Sequence, residues 1–239
     1  MNKNLHIVLV RPQYPVNIGL ITRTMKNFDM FNLRIVNPLC NIYSEMSIRL
    51  SHKSREILSS CLLYKDLASA LSDINIVLCA TARRRKLARP FIMPEDAPGI
   101  ICSAAGSNKI AVLFGNEETG MTNRELSFSN YCIRIPSSRN HPALNLSQSV
   151  SIILYEIYKK RLNPVKSHPK LAENRELEGL FEHMESLYSM LGYFKEKDPT
   201  RMMNIIKNIY KKALLEPNEV RLLRGILSQT DWYCRKKNE

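Results

Sequence analysis

The feature that most constrains the fold of this chain is the alternation of strand and helix patterns over its first 160 or so residues. Apolar runs typical of buried strands occur at residues 5–10, 33–36, 62–64, 74–80, 110–114 and 131–135. Helical patterns occur at residues 18–31, 44–60, 67–71 (with Asp66 as the predicted N-cap) and 146–162. Such alternation predicts an α/β fold, in which helices cover both faces of a mostly parallel sheet.

The remaining residues show only helical periodicity and predict a small all-helical extension. Several apolar residues fit one face of a first helix: Leu177, Leu180, Phe181, Met184, Leu187, Tyr188 and Leu191. Asp198 and Pro199 suit the N-cap and first turn of a second helix, and Pro217 begins a third. Two prolines in "LNPVKSHPK" indicate a linker. We therefore predict a domain at 1–162 whose core is complete by its end, a linker at 163–172 and a helical domain at 173–239.

The chain is strongly basic, with 35 Lys and Arg against 22 Asp and Glu, a net charge of +13 and a pI near 9.6. This balance favours a polyanionic partner such as RNA or DNA. Residues 1–163 hold 21 of the 35 cations and 11 of the 22 acids. The binding face is therefore expected mainly on the first domain.

Hydropathy and cysteine spacing indicate the compartment. No stretch reaches the roughly 18 apolar residues of a membrane span, and the N-terminal apolar run is too short for a signal peptide. The six cysteines have no paired spacing, and the five histidines form no metal-binding pattern. We therefore expect a cytoplasmic protein with reduced, buried thiols, no membrane partner and no metal.

The first predicted helix carries an unusual glycine. Ile18, Ile21, Met25 and Phe28 form its buried stripe, and the helical period places Gly19, Arg23 and Lys26 on the opposite side. Glycine in a helix costs about 1 kcal/mol relative to alanine, and it is favoured where another backbone or a ligand comes close. The prediction is that Arg23 points at whatever approaches Gly19. The alternative is a loosely capped helix start that faces solvent.

Ligands of parallel α/β sheets bind at the carboxyl ends of the strands, so the loops there are candidates. The loop "CATARRRKLARP" at 79–90 contains five cations and no acid: Arg83, Arg84, Arg85, Lys86 and Arg89. We interpret it as a loop that contacts phosphates. The alternative is a solvated run of charge.

The loop "VLFGNEETGMTNREL" at 112–126 has Gly115 and Gly120 on either side of Glu117 and Glu118. Met121 stands where a phosphate-binding loop requires lysine, and no G-x-G-x-x-G occurs, so an ATP or NAD site is disfavoured. A sharply folded loop with free backbone groups suits a neutral or zwitterionic ligand.

The segment "CIRIPSSRNHPALNLSQSVSIILYEIY" at 132–158 joins a strand to the long helix. Asn145 and Gln148 fit an N-cap with a reciprocal partner three residues on. That structural role accounts for both residues, but it leaves the polar loop 136–142, with Arg139 and His141, unexplained.

Taken together, "NIGLITRT", "LFGNEETGM" and "LNLSQSVSIILYE" closely resemble the three motifs of the TrmH-like branch of SPOUT methyltransferases. The resemblance spans residues 5 to about 162. It implies a deep C-terminal trefoil knot, S-adenosylmethionine (S-adenosyl-L-methionine) as cofactor, an obligate homodimer through the knot domain, and RNA ribose 2'-O-methylation. The C-terminal "EVRLLRGILSQTDWY" is similar to the TrmJ subgroup, which methylates the anticodon-loop nucleotide at tRNA position 32.

The resemblance also implies roles for individual residues. Arg23, Asn17 and Asn145 match catalytic positions, with Arg23 facing the target nucleotide and Gly19 letting RNA or the partner subunit approach. Cofactor contacts are implied for Ala80, Thr81, Ala82, Gly115, Glu117, Ile135, Pro142, Ala143 and Leu144. Ala143 is a departure, since relatives often carry serine there.

RNA contacts are predicted for two groups of cations. They are Arg83, Arg84, Arg85, Lys86 and Arg139 in the loops, and Lys207, Lys211 and Lys212 in the C-terminal helices. The alternative for the helical lysines is that they are merely solvated on an appendage that packs in the dimer. The resemblance favours a tRNA (cytidine/uridine-2'-O)-methyltransferase. The alternatives are an rRNA 2'-O-methyltransferase and a catalytically silent RNA-binding protein of the same fold.

Overall fold

The computed structural model describes residues 3–82, 90–138, 140, 142–161, 169–194 and 198–237. Its centre is a seven-stranded sheet in the order β3-β2-β1-β6-β4-β7-β5, and every pairing in it is parallel. The strands are β1 (Leu5–Val10), β2 (Asn32–Val36), β3 (Leu62–Tyr64), β4 (Ile76–Ala80), β5 (Phe91–Ile92), β6 (Ile110–Phe114) and β7 (Tyr131–Ile133). The predicted α/β fold with a parallel sheet is confirmed.

Helices cover both faces of this sheet, which is why its central strands are apolar except for His6 of β1. The helices are α1 (Pro15–Asn27), α2 (Glu45–Ser51), α3 (Arg55–Ser59), α4 (Leu67–Leu71), α5 (Ala97–Ala104), α6 (Asn123–Leu126) and α7 (Leu146–Arg161). Helices α1, α5 and α7 pack on one face, where Ile7 and Leu9 point; α4 and α6 pack on the other, with Val8 and Val10. All residues of β1 and β6 are buried.

Four local elements differ from the sequence prediction. The helix predicted at 44–60 is broken by a 3-10 turn at His52–Ser54 into α2 and α3, and His52 has a positive φ of 43°. Strand β5 and helices α5 and α6 were not predicted, because β5 is only two residues long and α5 contains Pro98 and Gly99. These short elements lack the periodicity that identifies longer ones.

The prediction that Gly19 faces outward with Arg23 and Lys26 is wrong. Gly19 is buried where α1 crosses α2, and a Cβ atom there would lie 2.7 Å from both the Ser47 carbonyl oxygen and the Leu50 Cβ. Glycine is required because another helix of the same chain comes close. Arg23 and Lys26 are exposed, as predicted.

The C-terminal residues form three helices, α8 (Asn174–Met190), α9 (Pro199–Ala213) and α10 (Pro217–Lys237). Asp198 caps α9 by accepting hydrogen bonds from the backbone N–H groups of Thr200 and Arg201, at 3.0 and 3.3 Å. Most of the predicted face of α8 is buried in a separate core, while Leu191 is exposed. The predicted helical extension is confirmed.

This helical domain docks on the amino ends of the sheet strands through buried asparagines. The Asn174 side chain donates to the Ile74 carbonyl (2.8 Å) and the Asn75 side chain to the Leu171 carbonyl (2.5 Å). Asn108 donates to the Pro169 carbonyl (2.8 Å) and accepts from the Leu171 N–H. These contacts hold the end of the segment that precedes α8 against the sheet.

The docking corrects two predictions about the linker. Leu171 is buried in the same core as the sheet and α7, so residues 169–172 are packed rather than a free connection. The core of the first domain is therefore not complete at residue 162. Residues 163–168 of the predicted linker lie outside the described residues.

The remaining sequence-based expectations concern cysteines and hydropathy. All six cysteines are free thiols; Cys61, Cys79 and Cys132 are buried and the other three are partly buried. Within the described ranges, no helix is long and apolar enough to span a membrane.

Candidate functional site

A cavity of about 340 Å³ lies at the carboxyl ends of β4, β6 and β7, beside the start of α7. Its lining comprises Ala80, Thr81, Ala82, Phe114, Gly115, Asn116, Glu117, Glu118, Gly120, Met121, Ile135, Pro142, Ala143, Leu144, Leu146 and Ser149. All nine residues predicted to contact the cofactor are among them. The structure therefore brings together three loops that are up to 64 positions apart in the sequence.

The wall of the cavity is made largely of small side chains and backbone. A Cβ atom on Gly115 would lie 2.6 Å from the Gly120 carbonyl carbon and 2.7 Å from the Met121 nitrogen, so only glycine fits there. Gly120 itself has a φ of +65°, which glycine adopts without strain. The Thr81 N–H donates to the Ile133 carbonyl at 3.0 Å and ties two of the loops together.

A chain of hydrogen bonds links Asn145, Asn17 and Glu117 at the edge of this cavity. The Asn145 Nδ2 donates to the Asn17 Oδ1 at 3.0 Å, and the Asn17 Nδ2 donates to the Glu117 Oε1 at 2.9 Å. Asn17 is buried. Residues from all three sequence motifs thus form one network, and two of the predicted catalytic residues are adjacent.

Glu117 lines the cavity, but its carboxylate is directed at the start of α1. It accepts hydrogen bonds from the backbone N–H groups of Gln13 (2.9 Å) and Tyr14 (3.3 Å) in addition to the one from Asn17. A carboxylate is favourable at a helix N-terminus, where backbone N–H groups lack partners. Glu117 therefore positions α1, and hence Asn17, relative to the cavity.

Asn145 caps α7, as predicted, but through a different partner. Its Oδ1 accepts from the Ser147 N–H at 2.8 Å and from the Ser147 hydroxyl at 2.7 Å. In the described part of the chain, Gln148 makes no reciprocal hydrogen bond. The cap fixes the Asn145 amide, so that its nitrogen points at Asn17.

An ion pair holds the β1–α1 connection against the loop that contains Gly120. Arg11 donates to both carboxylate oxygens of Glu125, at 2.9 and 3.0 Å, and to the Gly120 carbonyl at 3.1 Å. Burial raises the pKa of Glu125, but the hydrogen bonds from Arg11 and Thr122 outweigh it and lower that pKa. The Tyr14 hydroxyl donates to Glu118 at 2.5 Å, which raises the pKa of the phenol.

Arg23 does not line this cavity. It lies six residues beyond Asn17 on α1, about 9 Å along the axis and on a different side of the helix. Its side chain is exposed in a separate groove of about 290 Å³, which is lined by Arg23, Lys26, Asn27, Ser51, His52, Lys53 and Ser54. We call this surface the α1–α2 groove.

The structure divides the predicted RNA-binding residues into three groups. Arg83, Arg84, Arg85, Lys86 and Arg139 lie outside the described residues. Lys212 is exposed on α9. Lys207 and Lys211 are directed inward, which corrects the prediction for both.

Lys211 is unavailable to RNA because its side chain is only 2% exposed. It donates to the carbonyls of Ser127 (3.4 Å) and Phe128 (3.2 Å) in the first domain, and it pairs with Glu178 at 3.6 Å. Lys207 pairs with the same carboxylate at 3.0 Å. The spacing of the lysines on α9 predicted a basic face, but Lys207 pairs with α8 inside the helical domain and Lys211 joins that domain to the first one.

The sequence interpretation missed several residues of the cavity. Phe114 and Leu146 looked like ordinary core residues, and Met121 was noted only because it is not lysine. Ser149 follows Asn145 by one helical turn, a spacing that places it on the same side of α7. Among the described residues, no three His, Cys, Asp or Glu side chains come close enough to hold a metal ion.

The parallel sheet and the backbone-lined cavity at its carboxyl edge define an α/β protein with a small-molecule site next to a network of polar side chains. The SpoU rRNA methylase family profile matches residues 4–155, and the C-terminal domain profile of tRNA methyltransferase TrmJ matches residues 175–239. The chain belongs to the SpoU methylase family, within its TrmJ branch. Its cofactor is accordingly S-adenosylmethionine, as the sequence resemblance predicted.

Relatives match over almost the whole chain. Two are named tRNA (cytidine/uridine-2'-O-)-methyltransferase TrmJ. The protein from Sodalis glossinidius is 30% identical over 97% of this chain and 92% of its own. The one from Photorhabdus laumondii is 29% identical over 99% and 100%. The crystal structure of TrmJ from Z. mobilis ZM4 superposes with a TM-score of 0.78 at 29% identity, covering 95% of this chain and 98% of that one.

Proposed function

We propose that the protein transfers the methyl group of S-adenosylmethionine to the ribose 2'-hydroxyl of a tRNA, at anticodon-loop nucleotide 32, a cytidine or uridine. One observation carries the proposal. All nine residues predicted to contact the cofactor line a single cavity, and Asn17 and Asn145 are hydrogen-bonded to each other at its edge. The names of the relatives give the substrate class.

The cavity fits this cofactor. Its volume falls within the usual range for small-molecule sites, about 300–1,000 Å³. Ala80, Ala82 and Gly115 leave backbone groups accessible, which suits adenine and the zwitterionic end of the cofactor. The Glu117 carboxylate is engaged by α1, and Glu118 by Tyr14 and Gln13.

The cofactor supplies a methyl group activated by a sulfonium, so the protein mainly has to align the two reactants. As the ribose oxygen gains the methyl group, it loses its proton to the adjacent phosphate or to water. Arg23 is assigned to hold that phosphate and to stabilise negative charge on the oxygen. A guanidinium stays protonated near neutral pH, so Arg23 is not assigned as the base.

The position of Arg23 supports a homodimer. Within one chain Arg23 lies outside the cavity that Asn17 and Asn145 border. Symmetric dimers are the commonest assemblies of identical chains. We therefore assign the ribose to a position between the cavity of one protomer and the Arg23 face of the other.

The sheet order also supports the trefoil knot that the resemblance implies. Strand β7 is inserted between β4 and β5, although it follows both in the chain. The chain then returns to α7, which packs against α1 and α5. We therefore assign the knot that the resemblance implies to the part of the first domain that follows β7.

We assign the loop cations at 83–86, Arg139 and Lys212 to contacts with the phosphate backbone of the RNA. Such contacts position an RNA but carry little sequence information. Because the proposed substrate is tRNA, we place the reaction in the cytoplasm.

Methyl incorporation from labelled S-adenosylmethionine into purified tRNA and rRNA tests the substrate class, and calorimetry tests the cofactor site. The proposal predicts cofactor binding together with incorporation into tRNA. Incorporation into rRNA alone would favour the alternative that the protein is an rRNA 2'-O-methyltransferase. Absence of both binding and transfer would favour a silent RNA-binding protein, the alternative that Ala143 in place of serine raises.

A further inference from the structure

The α1–α2 groove contains three basic side chains whose presence the fold does not explain. Arg23, His52 and Lys53 are exposed, and none of them makes a side-chain hydrogen bond or ion pair with another described residue. Lys26 differs, since it pairs with Glu56 and donates to the Lys53 carbonyl, both at 2.5 Å. The lining of the groove therefore presents basic side chains and no acid, and the Glu56 carboxylate beside it is paired with Lys26.

The scaffold below these side chains is rigid. The Thr22 hydroxyl donates to the Ser51 hydroxyl at 3.0 Å, and the Ser54 hydroxyl donates to Thr22 at 3.2 Å. All three residues are buried. This ladder, together with the close contact at Gly19, fixes the 3-10 turn against α1. His52 and Lys53 therefore hold a fixed position relative to Arg23.

The backbone at His52 is unfavourable for a residue with a side chain. Its φ of 43° and ψ of −116° lie in a region that glycine adopts easily and other residues rarely do. Strain of this kind persists where the surrounding structure enforces it, and it is often found at functional sites. Histidine at this position lowers the stability of the fold relative to glycine, and it places an imidazole in the groove.

We propose that His52 and Lys53 bind the phosphodiester backbone of the RNA next to the methylated nucleotide, which extends the contact made by Arg23. The inference rests on the proposed function, because it takes the RNA to be the substrate of that reaction. Phosphates are the expected ligand because the lining of the groove offers several donors on a rigid backbone and contains no acid. The compact cations Lys and Arg and the imidazole N–H all donate to phosphate oxygens.

The test compares matched variants in tRNA binding. Lys53→Gln removes an exposed lysine from the groove, and Lys65→Gln removes an exposed lysine elsewhere on the first domain. We expect Lys53→Gln to raise the Kd for tRNA about 3- to 10-fold and to reduce the slope of log K against log salt by about 0.7–0.9. Lys65→Gln should change neither quantity by as much as twofold.

His52→Gly separates binding from folding. Glycine accepts the backbone conformation at this position, so the thermal midpoint should stay the same or rise while the Kd for tRNA rises. The affinity for S-adenosylmethionine should not change in either groove variant, since the cavity lies at the other end of α1.

Two results would overturn the inference while leaving the proposed function intact. One is that Lys53→Gln and Lys65→Gln have equal effects on tRNA binding. The other is that Lys53→Gln or His52→Gly weakens dimerisation, measured by sedimentation, at unchanged tRNA affinity, which would make the groove a contact between subunits. If the natural protein binds no tRNA, the proposed function and the inference fail together.

Discussion

The two edges of the sheet use the same type of residue for opposite purposes. At the amino edge, buried Asn75, Asn108 and Asn174 donate to backbone carbonyls and close the junction with the helical domain. At the carboxyl edge, Asn17 and Asn145 bond to each other beside an open cavity. At the amino edge the asparagine amides donate only to backbone carbonyls and close the junction, whereas at the carboxyl edge the Asn145–Asn17 bond joins two side chains beside the cavity.

The largest expected effect is at the reactive edge. Arg23→Ala should lower methyl transfer at saturating tRNA by about 10²–10³, the scale of losing one electrostatic stabiliser. Cofactor affinity and the unfolding midpoint should be unchanged, because Arg23 is exposed and does not line the cavity. Arg201→Ala on α9 is the control and should keep full turnover. Near-normal turnover of the Arg23→Ala variant would show that Arg23 does not stabilise the reacting oxygen.

The same variant tests whether one active site uses two chains. Arg23→Ala and Asn145→Ala are each expected to be inactive as pure proteins. When the two are co-expressed, about half of the dimers are mixed, and each mixed dimer has one intact site, so about a quarter of the activity should return. No recovery would show that both residues act within one chain.

Low pH should reduce the stability of the fold through a buried histidine at the amino edge of the sheet. His6 is buried near Arg34, Asp73 and Lys109, and burial and the Arg34 charge lower its pKa from 6.5 to about 4. Between about pH 6.5 and pH 4, His6 therefore binds a proton in the unfolded chain but not in the folded protein. The free energy of unfolding falls as the pH drops through this range. The loss is at most about 3 kcal/mol.

Protonation of Asp73 should lower the free energy of unfolding further, at lower pH. Hydrogen bonds from Arg34, at 2.6 and 3.0 Å, hold the pKa of Asp73 well below its usual value. Its contribution is complete above about pH 4 and declines below that. Urea unfolding from pH 7 to pH 3 measures both effects. If His6→Gln left the slope between pH 6.5 and 4 unchanged, His6 would not be the titrating group.

Gly19 and Gly225 sharpen the comparison between the two domains. Gly19→Ala places a methyl group 2.7 Å from the backbone of α2 and should cost about 1–3 kcal/mol of stability. Gly225→Ala, in the interior of α10 with open space around it, should stabilise by about 0.5–1 kcal/mol. Denaturant midpoints check both, and equal shifts would contradict the close packing of α1 on α2.

The smallest effects come from two adjacent lysines. Lys211→Met removes a donor that joins the domains and should cost about 1 kcal/mol of stability. Lys212→Met should leave stability unchanged and raise the Kd for tRNA by about 2- to 5-fold, as expected for one lost phosphate contact. The unfolding midpoint and tRNA affinity of each variant decide between the roles. If Lys211→Met instead weakened tRNA binding without changing stability, Lys211 would be an RNA contact.

The sequence predicted the sheet because β1 and β6 are apolar on both faces, a pattern that few other structures share. The cavity lining was predicted through the family resemblance, because the second and third motifs contribute Gly115, Glu117 and Leu144 and fix the places of the other loop residues. The sequence did not predict the direction of the Glu117 carboxylate, since its partners are backbone N–H groups at positions 13 and 14. Tertiary hydrogen bonds of this kind leave no periodic signal.

Helical spacing alone also could not show which side of a helix meets another element. Gly19 and Lys211 were both assigned to outward faces on spacing, and both are buried against neighbours that are distant in sequence. A buried lysine and an exposed one look the same in an amphipathic pattern. The polar contacts that distinguish them arise only when the domains dock.

The most direct test of the account is the position of the methyl group. Unmodified tRNA is incubated with the protein and S-adenosylmethionine, digested, and analysed for linkages that resist alkali because their 2'-oxygen is methylated. The account predicts one such linkage, at nucleotide 32, that is absent when Asn145→Ala replaces the natural protein. A methyl group on a base, or a ribose methyl found only in rRNA, would contradict it.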